Sequence, residues 1–216
     1  VIVGSILLAF AIDRGYESYQ DRGEEAAILE GLRSDFVANR TALERYLVWY
    51  DQWSDGISSV QDYIRGGSEE PGADEVQQAL SLLFANPTFD PSTATLEVIE
   101  SSGRGSVLSD PDLRVLIAEW RVHTTDALDQ QLGLQRIRES MLWPALVQLD
   151  VRAPDGGRAR VDPPDGPPPP PDLRAAGLAA ILDLHTALLQ RTRLDLEEVL
   201  NATELVLRRL DALLGP

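Results

Sequence analysis

Residues 29–64, LEGLRSDFVANRTALERYLVWYDQWSDGISSVQDYI, decide the fold. Stepping alternately by three and four from Leu29 meets Leu32, Phe36, Asn39, Leu43, Tyr46, Tyr50, Trp53, Ile57, Val60 and Ile64. Asn39 alone interrupts the apolar row. Residues at that spacing share one face of an α-helix, and a face so apolar needs other helices to cover it. Gly66-Gly67 then stop the helix. Each of Gly15, Gly23 and Gly31 weakens it by about 1 kcal/mol relative to Ala, so they read as points of flexibility ahead of the body. Asn39 has two readings: a buried amide that sets register, or a polar group at a solvated edge.

Toward the C-terminus, residues 74–85 read as a short helix with Val76, Ala79, Leu80 and Leu83 on one face, broken at Asn86-Pro87. Ser92 is placed to cap a second short helix over 93–101, closed by Gly103. Asp110 and Pro111 open a long helix reaching about Leu149. Its seam reads Leu113, Leu116, Trp120, His123, Ala127, Gln130, Leu134, Ile137 and Met141. Pro144 should kink it by deleting a backbone bond. Residues 152–171 are a linker whose run Pro167, Pro168, Pro169, Pro170 and Pro171 favours extended polyproline II. Such a stretch suits docking on the chain's own bundle or on a partner. Asp172 opens the last helix, with a seam of Leu178, Leu182, His185, Leu189, Thr192, Leu196, Val199, Thr203, Val206, Leu210 and Leu213. No alternating strand pattern of useful length occurs.

At the other end, Val1–Ile12 (VIVGSILLAFAI) carries no charge. Twelve helical residues span about 18 Å against a hydrocarbon core of about 30 Å. About eight more apolar residues before Val1 would complete a crossing. On that expectation Val1, Ile2, Val3, Ile6, Leu7, Leu8, Phe10 and Ile12 form the end of a membrane anchor. The rivals are a signal peptide with Ala9-Phe10-Ala11 as its cleavage site, or a buried core helix. Six acids against Arg14 and Arg22 over residues 13–30 put the body on the non-cytoplasmic side. The expected architecture is all-α: one N-terminal transmembrane helix continuing into an antiparallel bundle of three long helices plus two short ones. The divisions are an anchor over 1–12, a body over 13–151, the linker over 152–171 and a C-terminal helix over 172–216.

The 216 residues hold 19 basic groups, all Arg, against 35 acids, for a net charge of −16, with two His and no Cys. No thiol chemistry, disulfide or Cys-bound metal is open to such a chain. A charge of −16 with no basic stripe argues against nucleic acid as a partner. His123 and His185 both sit on seams and read as core histidines rather than ligands. No cofactor or metal site is expected. Acidic pairs such as Glu24-Glu25, Glu69-Glu70 and Glu197-Glu198 have no nucleophile or His beside them, so no catalytic residue is assigned. Tyr46, Trp49, Tyr50 and Trp53 crowd four rings into eight residues. Packing against Trp120 or Trp143 is their first reading. Trp49 and Trp53 are also candidate anchors for a protein partner, where Trp tends to dominate binding energy.

The opening block VIVGSILLAFAID and the stretch NPTFDPSTATLEVIESSGRGSVLSDPDLR at 86–114 together resemble a family of uncharacterised bacterial proteins. The matching positions are Phe89, Ser101, Ser102, Gly103, Leu108, Asp112, Leu113 and Arg114. The resemblance implies one N-terminal membrane helix and a helical extracytoplasmic domain, and no catalytic residues. The Pro-rich linker departs from that pattern, as does Arg14-Gly15 where the family carries Asn-Trp. From anchor, bundle and resemblance, the expected function is a non-catalytic accessory subunit of a larger bacterial inner-membrane complex, of photosynthetic reaction-centre, light-harvesting or respiratory type. Its expected partners are the lipid bilayer and other membrane subunits, with the body in the periplasm. The alternative is an extracytoplasmic helical-bundle sensor domain that binds a small ligand.

Overall fold

The structure, a computed structural model, is all-α over the residues it describes, namely 2–66, 83, 88–103, 107–148 and 177–215. Helix α1 spans Ile2–Ile64, α2 Ala94–Ser101 and α3 Pro111–Ile137. One π-helical turn, Arg138–Leu142, joins α3 to α4, Trp143–Gln148. Helix α5 spans Leu178–Leu214. The linker with Pro167–Pro171, and the expected helix over 74–85 apart from Leu83, lie outside the described residues. The chain divides into two compact units. The first comprises Val1–Leu43, Asp90–Thr124 and Glu198–Pro216; the second comprises Glu44–Phe89 and Thr125–Glu197.

The expected membrane anchor is corrected. Among the described residues no helix is long and apolar enough to cross a membrane. Val1 lies outside them, and Ile2, Val3, Ile6, Leu7, Leu8, Phe10 and Ile12 are the opening turns of α1. That helix continues straight into Asp13, Arg14 and Glu17. The bilayer as partner, the single-pass inner-membrane location, the periplasmic body and the accessory-subunit function all depended on that anchor, and they fall with it.

In the first unit, α1 and α3 run parallel, where consecutive long helices were expected antiparallel. Glu25 accepts hydrogen bonds from the backbone N–H and the hydroxyl of Ser109, and Phe36 meets Trp120 at 4.8 Å between ring centroids. Both sequence numbers rise together. The descending leg is supplied by residues 90–101. Asn39, fully buried, donates to the Ser92 carbonyl and accepts from its N–H, at 3.0 and 2.7 Å. It works as a backbone mimic that locks this leg to α1, and so takes the buried reading. Asp35 caps α2 from the neighbouring helix: its carboxylate accepts from the Thr95 N–H at 2.8 Å and from the Ser92 hydroxyl at 2.9 Å. Ser92, expected as the cap itself, instead donates to that carboxylate. Burial raises the Asp35 pKa, but the bonds from Thr95 and Ser92 outweigh it and hold the carboxyl below its usual value. Asp110 caps α3 as its sequence position suggests, accepting from the Leu113 N–H at 2.7 Å. It also pairs with Arg209 of α5, and that guanidinium together with the Leu113 N–H lowers its pKa.

Gly31 sits where α2 presses on α1. A Cβ there would lie 2.9 Å from the Thr95 hydroxyl oxygen and 3.1 Å from its methyl. Thr95 is β-branched and its backbone is tied to Asp35, so it has little room to give. Close approach, not flexibility, explains this glycine. Gly31→Ala should therefore lower stability despite a helix-propensity gain of about 1 kcal/mol. Thr95→Ala in the same chain should recover it. Urea unfolding of the double-mutant cycle should show a coupling of at least about 1 kcal/mol.

In the second unit, α1 and α5 run antiparallel. Asp51 pairs with Arg193 at 2.6 Å, and Gln61 donates to Asp183 at 2.9 Å. The buried face of α3 differs from the expected seam. Leu113, Trp120, Ala127 and Leu134 are buried, but the companion row is Ile117, Thr124, Gln131 and Arg138. The expected row of Leu116, His123, Gln130 and Ile137 is only partly covered. Gln131 justifies its place by accepting the Phe89 N–H at 2.7 Å. Pro144 has no N–H to return to Ser140, and the chain answers with a wider turn rather than a simple kink. The Trp143 N–H reaches back five residues to the Arg138 carbonyl.

Candidate functional site

Three elements of the second unit place unlike side chains together. Helix α1 contributes Tyr50 and Trp53 from its buried row, each about 1% exposed. The π-helical turn contributes Arg138, also 1% exposed, and Trp143 follows directly. Helix α5 contributes His185, 0% exposed. The Arg138 guanidinium carbon lies 5.8 Å from the Trp53 ring centroid and 5.9 Å from that of Trp143, within cation–π range of both. The His185 ring stands edge-on to Trp53 at 5.0 Å. Tyr50 packs on Trp53 at 5.9 Å. The Trp143 indole N–H is 3.4 Å from the Leu83 carbonyl.

Burial pushes the Tyr50 hydroxyl up to about 12, with Arg138 pulling the other way. Burial, reinforced by the Arg138 charge, depresses His185 to about 4. Burial also lowers Arg138 itself, against the opposing pull of Tyr50 and Glu139, but a guanidinium stays protonated in proteins. At neutral pH the centre thus holds one positive charge, a neutral imidazole and a neutral phenol. Among the described residues, neither ring nitrogen of His185 nor the Trp53 indole N–H has a hydrogen-bond partner. Buried polar atoms in folded proteins are nearly always paired, so unpaired ones ask for a reason.

Arg138 was missed in the sequence because the buried row of α3 reads Ile-Thr-Gln-Arg, which no hydropathy pattern selects. Pro144 was the available pointer, since π-helical turns recur at functional sites. Of the two candidate partner anchors, Trp53 belongs to this centre. Trp49 is half-buried, tilted against Trp53 at 4.6 Å and edge-on to Tyr50 at 5.4 Å. In the first unit Trp120 meets Phe36 and donates to Thr203 at 3.0 Å.

His123 lies in the first unit, its Nδ1 3.4 Å from Glu198. Together with Leu116, Glu119 and Leu205 these two line an open groove of about 170 Å³. Among the described residues no group of three His, Cys, Asp or Glu side chains is placed to hold a metal ion.

No protein-family model, curated protein or solved structure matches the chain. The resemblance to a bacterial membrane-anchored family is therefore corrected along with the anchor. Four of the eight matching positions have local explanations. Phe89, Leu108 and Leu113 are core residues, and Gly103 adopts φ +66 just beyond the end of α2.

Proposed function

We propose that this chain is a non-catalytic helical-bundle module that senses a small ligand, received at the Arg138 centre of the second unit. One observation carries the reading: His185 is fully buried, and among the described residues neither of its ring nitrogens has a hydrogen-bond partner, in the same centre as a buried guanidinium. A core built for stability alone would use apolar side chains there, because unpaired polar groups cost roughly 1–3 kcal/mol each. A ligand that satisfies them recovers that cost on binding. It would also bridge α1, the π-helical turn and α5, giving binding a route to change how three helices pack. These shifted acidities favour binding over turnover. A histidine with a pKa near 4 and a tyrosine near 12 are poorly matched to proton transfer at neutral pH.

A thermal-shift screen of small acids, amines, amides and sugars tests the proposal. At a hundredfold excess over Kd, a true ligand should add about 2.7 kcal/mol. That corresponds to a Tm rise of roughly 5–10 °C for a chain of this size. Arg138→Met and His185→Leu should abolish the rise. A screen without a stabilising compound, or one whose hits ignore both substitutions, would falsify the proposal.

A further inference from the structure

We infer that the groove between α3 and α5 in the first unit is a second binding site, taking a small organic cation of the alkylammonium kind. It lies apart from the Arg138 centre, and neither reading depends on the other. Leu116, Glu119 and His123 follow at spacings of three and four on α3, and Glu198, Ala202 and Leu205 do the same on α5, all within that unit. Side chains so spaced share a helix face, and the two faces line a void of about 170 Å³. Its chemistry is divided. Leu116, the buried Ala202 and Leu205, 43% exposed, make one side apolar. Glu119 and Glu198 supply two carboxylates, and Asn201 adds an amide oxygen. Among the described residues that line the groove, the one basic group is His123, with Nδ1 3.4 Å from Glu198. One imidazole cannot balance two carboxylates. An ammonium group donates three hydrogen bonds and accepts none, which suits this lining. Its alkyl chain, laid on Leu205, would leave water as the charge pairs. An anion is repelled by the two carboxylates and by the net charge of −16, and that same charge draws cations to the surface. A metal ion lacks ligands, because among the described residues no three His, Cys, Asp or Glu side chains are placed to hold one. The void is below the roughly 300 Å³ at which drug-sized pockets begin, so the cation has only a handful of heavy atoms.

The chain has two histidines, so proton NMR of their imidazole C–H groups in the full chain reads the groove against an internal control. Butylammonium is the probe, titrated at pH 7 and constant ionic strength beside ammonium, butanol and butyrate. The His123 resonance should move saturably with butylammonium while that of His185, in the second unit, stays in place. Butylammonium should bind about fivefold more tightly than ammonium, which lacks the chain, or butanol, which lacks the charge. Butyrate should leave the resonance still. Glu119→Gln and Glu198→Gln should each weaken butylammonium about threefold, and together about tenfold, because exposed ion pairs are individually weak. Both glutamates are exposed and glutamine keeps their shape, so the fold should survive; an unmoved His185 resonance in the variants verifies that. A His123 resonance indifferent to butylammonium overturns the site. So does an equal response to ammonium, which would mean general charge screening, or to butanol, which would mean a bare apolar patch. A response to butyrate, or an affinity unchanged in the double variant, overturns the assignment as well.

Discussion

Trp53→Ala is expected to cost on the order of 4 kcal/mol of folding stability, and Trp49→Ala under about 1 kcal/mol. Trp53 is 1% exposed and touches Tyr50, His185 and Arg138. Truncation leaves a large cavity and removes one of two rings facing a buried cation, itself worth about 1–2 kcal/mol when desolvated. Trp49 keeps part of its ring in solvent and loses little more than its stacking, of about 0.5–1.5 kcal/mol before relaxation. Urea unfolding of the two variants separates a core role from a partner-anchoring role, which the sequence leaves open. Similar small losses for both would remove Trp53 from the core. A loss at Trp49 as large as at Trp53 would mean that its half-exposed ring is not the minor contact described.

Acid should destabilise the protein in two separate windows, and the upper one should belong to His185. Its folded pKa of about 4 lies below the ordinary 6.5. The unfolded chain therefore takes up the proton first as pH falls. Stability is complete above pH 6.5 and declines between 6.5 and 4. Below 4 this group takes no more. The full decline is about 3 kcal/mol. Burial is the main cause, with the neighbouring Arg138 charge adding to it, while Tyr50 stays neutral throughout that range. Asp35 and Asp110 act lower down. Their folded pKa values are depressed from 3.8, so their contribution is present above 3.8 and is lost only as pH falls further. His185→Leu should flatten the upper window and leave the lower one intact. A variant whose stability still falls between pH 6.5 and 4 as steeply as the parent's would place the titrating group elsewhere.

The long apolar row of α1 was readable because each of its positions is judged by one repeating spacing. Leu29 through Val60 are buried on that row, with Tyr46 and, beyond them, Ile64 half-covered. The α5 seam was equally plain from Leu178 to Leu210. Helix α3 was harder. From Leu113 the next buried row could lie at +3 or +4, and Leu116 looked as apolar as Ile117. Further along, the choice fell between rows with similar polar content, and the polar residues of the true row are paired by contacts distant in sequence. Gln131 needs Phe89, 42 residues away, and Arg138 needs the rings of Trp53 and Trp143. Helix direction failed for the same reason. The return leg at 90–101 is short, and only its bonds to Asp35 and Asn39 reveal that it reverses the chain before α3 begins. The opening apolar run misleads in the same way: its composition suits lipid, but among the described residues no helix is long and apolar enough to cross a membrane.

The most direct measurement is the urea unfolding free energy of His185→Leu against the parent chain at pH 7, with no ligand added. Leucine is close to histidine in volume and carries no polar atoms. If the imidazole nitrogens are held unpaired for a ligand, the variant should be at least as stable as the parent, and more stable by up to about 2 kcal/mol. A loss of more than about 2 kcal/mol would show that His185 serves the folded core itself, and the ligand-receiving centre would lose its foundation.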